Sequence, residues 1–306
     1  MRVAVIDCGT NTVRLLIADS GPDGTLKEVS RTLRFARLGE GVDATGRFNP
    51  EALQRTFSVV DEYAEIIANS SVDKVRFVAT SAARDVSNRD EFFAGVEARL
   101  GVAPDVISGD EEAQLSFLGA LSGGPIAPDA QVLVVDIGGG STELVHGTGS
   151  GQVRAEVSLN MGSVRIRERF LRGDPPAESE IRAARDFVDE LLDSSPVDLS
   201  GVLVYIGVAG TVTSLSGMNL GLATYDRVKV HNSTLSVAEV EALSDRLFTL
   251  TVAETMAAYP SLQPQRAEVI CAGALICTEL TRRVGLPMTV RETDILDGAA
   301  LQLMRL

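Results

Sequence analysis

The chain repeats one pattern, and the repeat limits what it can fold into. Residues 3–12 read Val-Ala-Val-Ile-Asp7-Cys8-Gly9-Thr10-Asn11-Thr12. Residues 132–142 read Val-Leu-Val-Val-Asp136-Ile-Gly138-Gly139-Gly140-Ser141-Thr142. Each is a continuous apolar run with β-branched residues, the pattern of a buried strand, and each ends in an aspartate and a turn of glycines and hydroxyls. A second strand pattern follows each turn (residues 13–17 and 143–145), then a third (26–33 and 153–159). A three-stranded meander is therefore expected to open each half.

Helical and strand patterns alternate behind the first meander. Asn49 followed by Pro50 is a helix start, with Asn as N-cap, and the helix should run to about residue 70. A buried strand is expected over 74–80, a helix over 89–100, a short strand over 105–108 and a helix over 110–121. Ser122-Gly123-Gly124-Pro125-Ile126-Ala127-Pro128 reads as a linker. The second half repeats the order, with a helix over 178–192, a strand over 202–206 and further helices. A chain of 306 residues is long enough for two domains. Meanders followed by alternating strands and helices imply an α/β architecture, each domain a mixed five-stranded sheet flanked by helices. The expected domains are residues 1–123 and 124–306, with the final helix packing back on the first.

The turns carry the chemistry. Backbone N–H groups can reach a phosphate only where no side chain intervenes, and neighbouring hydroxyls add donors. Asp136 to Glu143 combines Gly138, Gly139, Gly140, Ser141 and Thr142 with two carboxylates; Gly9, Thr10, Asn11 and Thr12 form a weaker counterpart. Familiar nucleotide motifs do not fit: there is no Gly-Lys pair for a Walker loop, and Glu143 stands where a dinucleotide fingerprint needs glycine. With two histidines and three dispersed cysteines a zinc site is not expected, so any metal should be a hard ion held by oxygens. A net charge of −14 argues against a nucleic-acid surface, and cations for a polyanion must be concentrated locally. Arg31, Arg34 and Arg37 form one candidate cluster, and Arg165, Arg167, Arg169 and Arg172 another; each competes with a reading as solvated surface. The apolar run before Asp7 is shorter than the roughly 7–15 residues of a signal-peptide core, and no stretch approaches the roughly 20 of a membrane span. A cytoplasmic protein without membrane or nucleic-acid partners is the expectation, and a homodimer is compatible with it.

Two domains that each present an Asp-x-Gly turn resemble the actin, hexokinase and Hsp70 superfamily, with its ribonuclease-H-like fold and interdomain cleft. Within it, the chain resembles the exopolyphosphatase and guanosine pentaphosphate phosphatase family along nearly its whole length. Ser108-Gly109-Asp110-Glu111-Glu112-Ala113 is similar to that family's acidic segment, whose second glutamate is regarded as the catalytic carboxylate and corresponds to Glu112. Without the resemblance, Asp110 and Glu111 read as carboxylates favoured by a helix dipole. The segment from Ala79 to Asn88, with Arg84, matches a Thr/Ser-rich arginine motif. Met161-Gly162-Ser163-Val164-Arg165, Gln265-Arg266-Ala267-Glu268 and Thr293-Asp294-Ile295-Leu296-Asp297-Gly298 look like further signatures. Two departures stand out: Cys8 where an aliphatic residue is common, and Ala209 in place of serine within Gly207-Val208-Ala209-Gly210-Thr211.

The resemblance implies hydrolysis of a terminal phosphoanhydride. Glu112 would activate water and Arg84 offset transition-state charge. Gly9, Thr10, Asn11, Thr12, Gly138, Gly139, Gly140, Ser141, Arg165 and Arg266 would bind phosphates. Asp136, Glu143 and Asp7 would hold Mg²⁺ or Mn²⁺. Inorganic polyphosphate is the expected substrate and guanosine pentaphosphate (pppGpp) the alternative. More distant readings are a small-molecule kinase of the same superfamily and a non-catalytic sensor of guanosine tetra- or pentaphosphate.

Overall fold

Each sequence repeat opens a mixed β-sheet. The computed structural model describes residues 1–22, 24–84 and 86–305. Strands β1 (Arg2–Cys8), β2 (Thr12–Ser20) and β3 (Leu26–Phe35) form the first antiparallel meander. β4 (Lys74–Ala79) and β5 (Asp105–Val106) add in parallel beyond β1, giving the order β3-β2-β1-β4-β5. The second sheet follows the same plan with β6 (Gln131–Ile137), β7 (Thr142–Thr148), β8 (Val153–Leu159) and β9 (Val204–Val208), then β10 (Thr234–Leu235) and β11 (Met288–Val290). Its order is β10-β11-β9-β6-β7-β8. This sheet has six strands where five were expected, because β10 pairs antiparallel with β11. A two-residue strand carries no periodic signal that a sequence could reveal. Even the irregularities correspond: the pairing of β2 with β3 slips between Ile17 and Ala18, and that of β7 with β8 between His146 and Gly147.

The chain divides into two compact units, Met1–Gly119 with Ile295–Leu306, and Ala120–Asp294. In the first, β1 is buried on both faces, which accounts for its unbroken apolar run. Ala4, Ile6 and Cys8 pack with Leu53, Phe57 and Tyr63 of the helix Pro50–Ala68. Asn49 starts that helix by accepting a hydrogen bond from the Glu51 amide, with Pro50 in the first turn. Val3 and Val5 face the other way, onto Leu115 and onto Ile295, Leu296, Ala299 and Leu303 of the helix Ile295–Arg305. In the second unit one core joins β6 and β7 to the helices Glu178–Asp193, Ala209–Asn219 and Ile270–Val284. Among the described residues no helix is long and apolar enough to cross a membrane.

The arginine cluster on β3 serves this packing. Arg31 is mostly buried and donates to Asp297 Oδ1 (2.6 Å) and Glu28 Oε2 (2.9 Å); Arg34 forms a two-pronged pair with Glu62 (2.6 and 3.0 Å). These carboxylates occupy the guanidinium groups, so the reading of Arg31 and Arg34 as a track for a distal polyanion is replaced by a structural one. Asp297 and Gly298 of the C-terminal signature acquire their reason here. Asp297 anchors Arg31, while a Cβ on Gly298 would lie 1.9 Å from the Leu115 carbonyl oxygen. Glycine thus lets the helix Ile295–Arg305 lie against the helix Gly109–Ser122 that carries Glu112. Gly298→Ala should lower stability by about 1–3 kcal/mol, the usual cost of overpacking. Urea denaturation followed by circular dichroism would measure it, and an unchanged midpoint would show that the contact is not tight.

Candidate active site

In the first unit β1, β4 and β5 run parallel, so their carboxyl ends share one edge of the sheet. Open α/β sheets bind ligands outside such ends. The loop Gly9–Thr12 follows β1, Arg84 ends a short helix (Ser81–Arg84) after β4, and Glu112 lies in the first turn of the helix after β5. Ser108 Oγ accepts from the Glu111 amide and the Ser108 carbonyl accepts from the Glu112 amide, so Ser108 fixes where this helix begins. Arg84 Nη1 donates to Glu112 Oε2 at 2.5 Å. The two expected catalytic side chains are thus brought together as an ion pair. Glu112 is only 9% exposed, so its carboxylate is held in one orientation. Asp85, next to Arg84, lies outside the described residues.

The loop beside them is folded by its own backbone. The Gly9 amide donates to the Thr12 carbonyl, while the Thr10 and Asn11 carbonyls accept from the Gly39 and Arg37 amides. A trans peptide directs its C=O and N–H oppositely. The amides of Asn11 and Thr12 therefore face away from the Arg37–Gly39 segment. Gly39 is needed there, because a Cβ would press 2.3 Å onto the Thr10 methyl.

The second unit builds the stronger loop by the same rule. Gly138 donates to the Ser141 carbonyl at 3.1 Å, as Gly9 does to Thr12 at 3.0 Å. The Gly138 carbonyl accepts from the Ser163 amide, that of Gly139 from Val164 and Arg165, and that of Gly140 from Arg165 Nε at 2.8 Å. Three consecutive carbonyls are thus tied to the start of the helix Ser163–Arg169. The amides of Gly139, Gly140 and Ser141 consequently turn to the opposite side together, a row of donors suited to phosphate oxygens. Arg165, expected to touch phosphate, grips the carbonyl side of the loop through Nε. Of its neighbours, Arg167 donates to the Gly173 carbonyl and Arg169 lies over the Phe187 ring, so the second arginine cluster is also engaged internally. Gly162 permits the arrangement: a Cβ there would stand 2.4 Å from the Gly139 carbonyl.

Arg266 meets the start of the helix Ala209–Asn219, at the carboxyl end of β9. Its Nε donates to Gln263 Oε1, and its guanidinium leaves no room for a side chain at Gly210. Ala209 turns the chain into this helix at φ 69°, a left-handed conformation costing a non-glycine residue about 1–2 kcal/mol.

The carboxylates separate the two units chemically. In strand register Asp7 lies opposite Arg14, and Asp136 opposite Glu143. Arg14 donates from Nη2 (2.6 Å) and Nε (3.0 Å) to Asp7 Oδ2. Arg14 thus holds Asp7, which the sequence reading gave as a third metal ligand, in an ion pair through Oδ2. Asp136 (7% exposed) and Glu143 (1%) are two acids on adjacent strands, and directly opposed like charges repel. A hard divalent cation removes that repulsion, and an all-oxygen pair suits Mg²⁺ or Mn²⁺. Among the described residues no cluster of three or more acids, histidines or cysteines forms a closed metal cage. The pair therefore fits an ion that takes its other ligands from water and phosphate. Sequence reasoning missed Arg14 and Ser158, whose hydroxyl meets Glu143, and named Gly162 only within a signature, without its role. Counting outward from each turn would have found Arg14; the other two depend on contacts that periodicity does not report.

A model of the Ppx/GppA phosphatase family matches residues 16–286. The chain is 45% identical over 317 residues to Exopolyphosphatase 2 of Mycobacterium tuberculosis, covering 99% of this chain and 98% of that protein. Among solved structures, an exopolyphosphatase-like protein shares 42% identity with a TM-score of 0.94, covering 99% and 97% of the two chains. The Ppx/GppA family member of Aquifex aeolicus shares 32% identity with a TM-score of 0.82, covering 100% and 98%.

Two predictions follow from this geometry. Gly162→Ala should keep cooperative unfolding while turnover falls by up to about 10²-fold, the effect of displacing a positioning group by about 1 Å. Phosphate release by a folded variant at the normal rate would remove the glycine loop from the site. Thiols should play no part. Burial pushes the Cys8 thiol far up and that of Cys277 up to about 12, so neither ionises between pH 7 and 9. Mass spectrometry after iodoacetamide treatment of native protein at pH 8 should find both unmodified; rapid labelling of Cys8 would show its strand end to be open.

Proposed function

Because the chain belongs to the Ppx/GppA phosphatase family, we propose that it is an exopolyphosphatase, releasing terminal orthophosphate from inorganic polyphosphate by attack of water. The observation that carries this reading is the row of amides at Gly139, Gly140 and Ser141, turned outward because the carbonyls behind them are tied down. Such a loop binds phosphate through backbone alone and asks nothing of a base or sugar. The name of the Mycobacterium tuberculosis relative favours the same substrate.

In this mechanism Glu112 takes a proton from water as the water oxygen bonds to the terminal phosphorus, and the bridging P–O bond breaks toward the shortened chain. General-base assistance of this kind is typically worth about 10²–10⁴-fold. Arg84 keeps the Glu112 carboxylate oriented through Oε2 and brings positive charge beside the reacting phosphate. The loops Gly9–Thr12 and Gly138–Ser141 hold the last phosphates by their amides, and Arg266 is a further phosphate contact. Asp136 and Glu143 would hold Mg²⁺ or Mn²⁺, which would supply positive charge to neutralise phosphate oxygens.

Guanosine pentaphosphate also ends in a phosphoanhydride, and the family name embraces both activities. Parallel assays of phosphate release should show higher kcat/KM on long-chain polyphosphate; the reverse would assign the chain to the nucleotide. Glu112→Gln should lower kcat by about 10²-fold or more with KM changed only a few-fold. EDTA should abolish activity and Mg²⁺ or Mn²⁺ restore it. Near-normal turnover by Glu112→Gln would remove that residue from the mechanism.

A further inference from the structure

The strand register that opposes Asp136 to Glu143 extends one strand further. Glu143 pairs with Ser158 on β8, so Asp136, Glu143 and Ser158 form one row across three strands. Side chains in such a row project from the same face of the sheet. The slip between β7 and β8 lies beyond His146, so the pairing at Glu143 is regular. Ser158 Oγ–H donates to Glu143 Oε1 at 2.7 Å. An ionised carboxylate only accepts, so the hydroxyl must be the donor.

The first unit supplies an internal contrast. There the corresponding row is Asp7, Arg14 and Leu33. Where the middle residue is a cation paired to the aspartate, the third position is aliphatic. Where the middle residue is a second acid, the third position carries a hydroxyl bonded to it. The hydroxyl thus accompanies the carboxylate pair and not the strand plan. β8 is an edge strand, and Ser158 is only partly buried, so the serine is not forced onto the carboxylate by lack of alternatives.

We propose that Ser158 is a positioning residue that orients Glu143 for binding a divalent cation beside Asp136. This inference rests on the reading of Asp136 and Glu143 as the ion's ligands. The Ser158 hydrogen bond fixes the rotation of the carboxylate about its last torsion, so the entropy of ordering it is lost on folding and not on ion binding. Hydrogen bonds to metal-binding carboxylates commonly act in this way, and losing one typically lowers metal affinity by about 10–100-fold.

The test is Mn²⁺ binding to the full chain, followed by electron paramagnetic resonance of the free ion, with and without orthophosphate. Ser158→Ala should bind at least about tenfold more weakly than wild type. Ser158→Thr, which keeps the hydroxyl and suits a strand, should restore binding. In activity assays Ser158→Ala should raise the Mg²⁺ concentration for half-activation while kcat at saturating Mg²⁺ stays near wild type. A purely structural serine would shift thermal stability without moving either metal constant. In a Glu143→Gln background Ser158→Ala should have no further effect on Mn²⁺ affinity. Equal Mn²⁺ binding by wild type and Ser158→Ala would overturn the role of Ser158 and leave the metal reading intact. Absence of Mn²⁺ binding by wild type, with and without phosphate, would overturn both.

Discussion

A carboxylate at the end of a strand sealed on both faces has lost most of its water and must be compensated by something else. β1 and β6 both end this way, at Asp7 and Asp136, and the residue opposite in the hairpin decides the outcome. Arg14 closes the first site as an ion pair. In the second, Glu143 sets another acid opposite the aspartate. One backbone plan, used twice, thus yields an ion pair in one unit and a pair of opposed carboxylates in the other, the pair proposed above to hold the metal. The glycine turn follows the same logic: what the loop offers a ligand depends on what holds its far side. In the second unit three carbonyls are tied to the start of one helix and to Arg165. In the first unit two carbonyls are held by the backbone that follows β3.

Much of this was legible in the sequence. The doubled Asp-x-Gly turn gave the two sheets because buried strands write unbroken apolar runs, and Asn49 with Pro50 marked a helix start that the structure keeps within a residue. Glu112 and Arg84 came from a family resemblance and not from any physical rule, since three acids in a first helical turn are explained equally well by the helix dipole. Their pairing is a structural fact the sequence did not state. β10 escaped because two residues have no period. Ser158 escaped, and Gly162 and Gly298 were named only within signatures, because their importance lies in what touches them: a carboxylate, a carbonyl and the backbone of another helix.

The arginines show where composition misleads. With 25 arginines against three lysines and a polyanionic substrate in prospect, clusters invited a reading as binding surface. The structure spends many of those guanidinium groups internally, on Asp297, Glu62, the Gly140 and Gly173 carbonyls and the Phe187 ring. A planar fork of donors suits such sites better than an ammonium does, since it bonds in two directions and stacks as well. In a chain of net charge −14, the proposed phosphate recognition relies on short-range backbone donors and not on a broad positive field.

The helix Ile295–Arg305 belongs with a sheet whose strands all lie before residue 107. During translation, the β1 face bearing Val3 and Val5 therefore waits for the rest of its cover until residues 295–303 have been made. At about 5–20 residues per second the interval between residues 119 and 295 lasts roughly 10–35 s. Over that time the face bearing Val5, Leu16 and Val78 has Ile107 and Leu115 to pack on but lacks Ile295, Leu296, Ala299 and Leu303. The N-terminal unit therefore completes only after the unit that follows it in sequence.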